Sequence, residues 1–334
     1  MNIFKKPNFD FLAIGDIAIN DFIKIKEADI ENDEKNGNQE ICLNFGTKIP
    51  YENNYLVLAS GNSANASVVA SRLGLKSSLV TNLGNDNYGT LCLTSLKEAG
   101  VDTKLSTRHK NLKTNYHYIL WYKDNRTILT KHEKYPYNLP NIGEPKWIYL
   151  SSLGKNSLPF HNQLADYLEN HPKIKLVFQP GTYQISTGAQ ELSRIYSRTE
   201  LFFCNLSEAK KILQSDSSDI RLLAQGLRAL GPKTIFITDN INGAYYYQNN
   251  ELKHLPVYPC TKPPLETTGA GDSFSSTVTA GIALGLSTED AVKWGLINAS
   301  SVIQKIGSQA GLLTQKEIKE YLAKAPASFR TETI

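Results

Sequence analysis

Toward the carboxyl end of the chain, Glu266-Thr267-Thr268-Gly269-Ala270-Gly271-Asp272-Ser273-Phe274 sets two glycines and a carboxylate at the mouth of an apolar run. Gly269 and Gly271 let the backbone turn tightly and leave N–H groups exposed. A helix starting there would place those groups at the positive end of its dipole, which is an anion site. Such a site suits the negative charge on a phosphoryl group in transfer. Asp272 beside it is placed to take the proton of an attacking hydroxyl, a role that contributes roughly 10²–10⁴-fold in rate. Glycine and aspartate also act as plain helix caps, so the run gains meaning from its company.

Two further segments supply that company. Ser60-Gly61-Asn62-Ser63-Ala64-Asn65-Ala66 leads from a strand-like stretch into a helix. Gly61 lets a ligand approach the backbone, and the amides of Asn62 and Asn65 suit polyol hydroxyls. Asn205-Leu206-Ser207-Glu208 follows the apolar stretch Leu201 to Cys204. Ligands collect beyond the carboxyl ends of strands in an open α/β sheet, and Glu208 there suits a hydrated Mg²⁺ on nucleotide phosphates. Each segment also reads as an ordinary helix start.

The elements that must position these residues alternate in type. Strands are expected at Phe11 to Ile14, Ser78 to Leu83, Trp147 to Leu150, Lys175 to Phe178, Leu201 to Cys204 and Thr234 to Thr238. Helices are expected at Ala64 to Leu73, Thr90 to Ala99, Ile220 to Leu230, Asp272 to Leu284 and Thr288 to Lys305, several stopped by glycine. Repeated βα units with apolar strands imply a doubly wound α/β sheet with helices on both faces. Phe22 to Lys26, Ile41 to Phe45, Tyr55 to Leu58 and the hairpin Tyr116 to Thr130, turning at Lys123-Asp124-Asn125-Arg126, read instead as a small separate sheet. The expected division is one large domain (about 8–16, 60–113 and 132–325) with a small β lid (about 17–59 and 114–131).

Composition narrows the partners. At 334 residues, 41% of them hydrophobic, the chain can bury a full core. The net charge of +4 is spread without the basic, aromatic-studded stripe of a nucleic-acid binder. Cys42, Cys92, Cys204 and Cys260 stand far apart with no metal-ligand spacing, so buried free thiols and a reducing, cytoplasmic setting are expected. Met1 to Phe11 holds no sustained apolar stretch, so neither a signal peptide nor a membrane partner is expected.

Ser60 to Ala66, Gly84-x-Asp86-x-x-Gly89, Asn205-x-x-Glu208 and Thr267 to Asp272 together resemble the motifs of the ribokinase-like (phosphofructokinase-B, PfkB) carbohydrate and nucleoside kinases. The resemblance runs from about Phe11 to Leu313. It implies a doubly wound α/β domain with a small β-sheet lid and transfer of phosphate from ATP, with Mg²⁺, to a hydroxyl of a small sugar or nucleoside. It also implies Asp272 as catalytic base, Gly269, Ala270 and Gly271 as anion hole, and Gly61, Asn62 and Asn65 along the substrate pocket. Asn205 and Glu208 would organise phosphates and Mg²⁺. Thr238 and Gly243 resemble the nucleotide loop, and Asn298 lies where the nucleobase packs. The family commonly has Gly-Gly at Ser60-Gly61, an Asp at Asn20 (here followed by Asp21) to grip substrate hydroxyls, and a Gly at Asn240. Glu266 stands for an Asp that helps bind a monovalent cation, so potassium activation is not implied.

A dinucleotide-dependent oxidoreductase fits poorly: the first strand is not followed by G-x-G-x-x-G, and no Walker-type P-loop is present. A silent sugar or nucleotide sensor on the same scaffold could have lost Asp272 or its glycines, and all are intact. Phe22, Ile25, Phe45, Tyr55, Tyr118 and Trp121 give the lid more apolar area than a small solvated sheet needs, which suggests a symmetric homodimer through the lid.

Overall fold

The computed structural model describes residues 9–32, 39–123, 125–260 and 263–334. Part of the N-terminal stretch read for a leader, part of the polar segment Glu27 to Glu40, and Asp124 of the hairpin turn lie outside the described residues.

The central sheet has nine strands. Ser77–Val80, Phe11–Ile14, Trp147–Leu150, Lys175–Phe178, Thr199–Asn205 and Thr234–Thr238 lie side by side in that order, all parallel. Ala244–Gln248, Glu251–Leu255 and the short Glu332–Thr333 continue it antiparallel. The parallel strands are apolar throughout because both of their faces are covered. Phe11, Ala13, Tyr149 and Phe203 point into one core, and Leu12, Ile14, Leu150 and Phe202 into the other. Helices Asn62–Arg72, Ala270–Ala283 and Thr288–Val302 close the first core, while Leu158–Asn170 and Ile220–Ala229 close the second.

A four-stranded sheet stands apart, in the order Asn125–Lys131, Tyr116–Tyr122, Ala18–Ile25, Tyr51–Ser60. It is the small separate sheet expected from the sequence, without the Ile41 to Phe45 stretch, and has its middle pair parallel and its outer pairs antiparallel. Helix ends shift by a few residues, and two strands differ more from expectation. The stretch Ser78 to Leu83 is broken at Thr81 into Ser77–Val80, in the main sheet, and Asn82–Gly84, which pairs with Thr107–His109. The strand expected at Ile41 to Phe45 is paired only as Gln39–Cys42, before the turn at Gly46 (φ 75°).

The apolar patch expected on the lid is also smaller than its sequence suggests. Phe22, Ile25 and Trp121 are buried within the protomer, Tyr55 is half-buried, and Tyr118 and Phe45 are exposed. Of the cysteines, Cys92 and Cys204 are buried as expected, whereas Cys260 is exposed and Cys42 half-buried. Among the described residues no helix is long and apolar enough to cross a membrane.

Candidate active site

The Ala270–Ala283 helix is rich in small and hydroxyl residues, which lets it lie buried against two other helices from Ser273 to Gly281. Its hydroxyls turn back onto its own carbonyls, as Ser275 Oγ does to Gly271 O (2.8 Å) and Thr279 Oγ1 to Ser275 O (2.8 Å). Gly269 caps it in the left-handed region (φ 85°), and a Cβ there would lie 2.3 Å from Ser308 Cβ. A Cβ on Gly271 would meet nothing within 4 Å, so this glycine faces open space. The N–H groups of Gly271 and Asp272 fall in the first turn and have no acceptor within the helix.

That open space is a cavity of about 160 Å³. Asn62, Gln179, Asn205, Glu208, Thr238, Gly269, Gly271 and Asp272 all line it, brought from five separate chain segments. Asn205, Thr238 and Gln179 sit at or just past the carboxyl ends of parallel strands, which is why they converge.

Asp272 is held from two sides. Asn65 Nδ2 donates to its Oδ2 (2.9 Å) and Gln179 Nε2 to its Oδ1 (3.2 Å). Burial pushes its carboxyl above the usual carboxylate range, and the two amide donors pull it back. Both amides have fixed orientations. Asn65 Oδ1 accepts from Ser308 Oγ (2.8 Å) and Gln309 Nε2 (3.1 Å), and Gln179 Oε1 accepts from the Tyr149 hydroxyl. Asn65, expected along the substrate pocket, spends its Oδ1 and one Nδ2 hydrogen on this network and holds Asp272 through it. Gln179 went unnoticed in the sequence, though its place right after the apolar strand Lys175–Phe178 was the signal that could have found it.

We expect Gln179→Ala to lower kcat about tenfold, the loss of one well-placed hydrogen bond. Because that donor favours the ionised form of Asp272, the acidic limb of the pH–rate profile should also move to higher pH. A profile that keeps its wild-type position would show that Gln179 does not act on the carboxylate.

Glu208 closes a capping box: its Oε2 accepts from Asn205 N–H (2.9 Å), and Asn205 Oδ1 accepts from Glu208 N–H (2.8 Å). Burial raises its carboxyl, opposed by the Asn205 N–H, and the charge of Asp272 raises it further. Two carboxylates facing one cavity with this mutual repulsion suit a divalent cation. Among the described residues no three acidic, His or Cys groups gather to cage a metal. A cation held there would need water or ligand oxygens to complete its shell.

The loop ahead of the helix is pinned by the lid. Arg126, on the Asn125–Lys131 strand, donates to Thr267 Oγ1 (3.1 Å) and pairs with Glu266 Oε1 (3.1 Å), which also accepts from Thr268 N–H (2.7 Å). Neither sequence pattern nor resemblance pointed to Arg126.

The remaining expected residues lie apart from the cavity. Gly61 caps the Asn62–Arg72 helix with φ 126°, and a Cβ there would fall 2.8 Å from Asp16 O. Asn20 donates to Ser60 Oγ (2.8 Å) in the lid. Asp21, one step along the strand, faces the other side, where it accepts from Tyr116 Oη (3.0 Å) and Asn54 Nδ2 (3.3 Å). Gly243 packs against Leu255 O, where a Cβ would come within 2.2 Å. Asn240 takes the left-handed conformation (φ 46°) that asparagine tolerates, which explains how it stands in for glycine. Asn298 corrects the sequence reading. It is 0% exposed, donates to Thr277 Oγ1 (2.8 Å) and accepts from Leu313 N–H (2.9 Å), so it braces buried backbone and has no face for a nucleobase.

Residues 25–315 match the family model described as pfkB family carbohydrate kinase. A ribokinase of Bacillus subtilis (strain 168) is 25% identical over 279 residues, covering 80% of this chain and 89% of that protein. A 5-dehydro-2-deoxygluconokinase of Bacillus licheniformis is 25% identical over 341 residues, covering 96% and 97%. The structure of Arabidopsis thaliana ribokinase complexed with ribose and ATP superposes with a TM-score of 0.77 at 16% identity, covering 95% of this chain and 99% of that one. At that identity the likeness is one of fold.

Proposed function

Because the chain belongs to the pfkB family of carbohydrate kinases, we propose that it transfers the terminal phosphoryl group of ATP to a hydroxyl of a small sugar, with Asp272 as the base. The observation that carries this reading is the Asp272 carboxylate, gripped by Asn65 and Gln179 beside the unpaired N–H groups of the first helical turn. An acceptor hydroxyl between Asp272 and that turn would lose its proton to the carboxylate as its oxygen attacks. The Gly271 and Asp272 N–H groups would meet the charge on the moving phosphoryl group, and positioning would do most of the rest.

The parts divide along the cavity. Asn205 and Thr238, with the loop around Gly243 beyond them, would serve the nucleotide. Asn62, with Gly61 and Asn20 outside the cavity itself, would serve the sugar. Mg²⁺, when bound, neutralises phosphate charge, and Glu208 is the residue that would hold its water shell. The lid, about 17–59 and 114–131, would cover the sugar and keep out water that could accept the phosphoryl group in its place.

The test is a phosphorylation screen of ribose, fructose, hexose phosphates, adenosine, cytidine and inosine with several nucleotide donors and Mg²⁺. Acceptor-dependent consumption of ATP is expected with at least one sugar. Nucleotide consumption that no acceptor stimulates would overturn the reading.

A further inference from the structure

The strand Asn125–Lys131 forms one edge of the lid sheet and leaves most of its side chains in solvent. Arg126 is the exception, half-buried where every other residue of the strand is exposed. A guanidinium turned inward must find partners to replace water. Those of Arg126 are in the large domain: Glu266 and Thr267, just ahead of the Gly269 cap of the Ala270–Ala283 helix.

The face of the lid that carries Arg126 is the one turned toward the large domain. Arg126 stands opposite Trp121, Trp121 beside Lys24, and Asn20 beside Val57, so strand alternation puts Arg126, Trp121, Asn20 and Val57 on one side of the sheet. Val57 meets Gly307 so closely that a Cβ on that glycine would fall 2.8 Å from its Cγ2. The two places where this face lands are themselves joined. Leu265 N–H and Glu266 N–H both donate to Ile303 O (2.8 and 3.3 Å), and Gly269 packs on Ser308. Ser308 in turn holds Asn65, and Asn65 holds Asp272. The lid therefore rests on the unit that aims both the first-turn N–H groups and the base.

Stability alone would not select the chemistry of this tie. Arg126 Nε, Glu266 Oε2 and Thr268 Oγ1 are buried and unpartnered among the described residues. A buried ion pair left so incomplete gains little over an apolar contact of the same shape. What it supplies is geometry, since a planar guanidinium held between Glu266 and Thr267 fixes where the next residues begin the helix.

We propose that Arg126 is a positioning residue for phosphoryl transfer, tying the anion loop to the lid so that an acceptor under the lid sets the N–H groups that meet the phosphate. The inference rests on the kinase reading and adds to it a route by which acceptor and nucleotide sense each other. An acceptor that fixes the lid strands fixes Arg126 through their hydrogen-bonded ladder, and Arg126 fixes the loop. The effect is reciprocal: whatever factor the acceptor adds to nucleotide affinity, the nucleotide adds to acceptor affinity. Misplacing a reacting group by about 1 Å can cost about 100-fold in rate, so a single short tie suffices.

The experiment uses Arg126→Ala combined with Glu266→Gln, which removes the tie without leaving a buried charge and keeps an oxygen for Thr268 N–H. ADP with Mg²⁺ is titrated into wild type and the double variant, with and without the fastest acceptor of the screen above (ribose, fructose, a hexose phosphate or a nucleoside). Steady-state kcat and KM are measured alongside. In wild type the acceptor should tighten ADP about tenfold. In the double variant that tightening should fall below about twofold and kcat should drop about 10- to 100-fold. ADP alone should still bind it within about threefold of wild type. Arg126→Lys, which keeps the charge but not the planar fork, should recover part of both losses. A double variant with wild-type kcat, or one in which the acceptor tightens ADP as in wild type, overturns the inference and leaves the kinase reading standing. So does a wild type whose ADP affinity the acceptor changes less than twofold, a measurement that needs no variant to fold. A wild type that phosphorylates no acceptor brings down both.

Discussion

Asp272→Asn is expected to cut kcat by about 10²–10⁴-fold while leaving nucleotide and sugar binding within a few-fold of wild type. The substitution keeps the size of the side chain and removes its capacity to take a proton. It also leaves only one acceptor oxygen where Asn65 and Gln179 both donate, so one of those bonds must be lost. The wild-type rate should climb with pH as the carboxyl, held above the usual carboxylate range by its burial, ionises. The variant should lose that dependence. Steady-state kinetics across pH, with nucleotide binding by titration, checks both halves. Turnover within tenfold of wild type would remove Asp272 as the base.

The second large effect concerns stability. Arg126→Ala should lower the unfolding free energy by about 2–4 kcal/mol, and adding Glu266→Gln should restore most of it. The Glu266 side chain is 3% exposed, and once Arg126 is gone its carboxylate has no counterion among the described residues. Arg126 keeps some exposure, which puts the expected loss toward the lower end for a broken buried pair. Its Nε and the Glu266 Oε2 are already unpartnered among the described residues, so the pair is not saturated with hydrogen bonds. Denaturant unfolding of the two single variants and the double variant isolates the coupling. A coupling energy under about 0.5 kcal/mol would show that the lid strand is not fastened to the loop by charge.

The parts of this molecule that follow from local chemistry were legible in the sequence. Gly269-Ala270-Gly271-Asp272 reads as a helix start with an acid beside it because those properties belong to adjacent residues. The parallel strands were readable for a similar reason, being short, apolar and bounded. What escaped depends on which distant residue arrives beside which. Gln179 and Arg126 are single polar residues without a local pattern, and each acquires its role from a partner in another segment. Asn298 failed in the opposite direction: its position on a late helix was right, but only packing reveals that its amide serves Thr277 and Leu313. Asn20 and Asp21 could not be told apart by sequence. Their strand alternation sends one toward Ser60 and the other to Tyr116.

The spacing of the network around the base has a consequence for biosynthesis. Asn65 and Asp272 stand 207 positions apart, and Ser308 and Gln309, which fix Asn65, stand 243 and 244 positions beyond it. Contacts that close such long loops form late, since their entropy must be met before they add stability. A polypeptide still emerging from the ribosome short of Gln309 therefore lacks one or both of the donors that fix Asn65. The hold on the Asn65 amide is thus a late event in folding, set by residues far along the chain from the asparagine they fix.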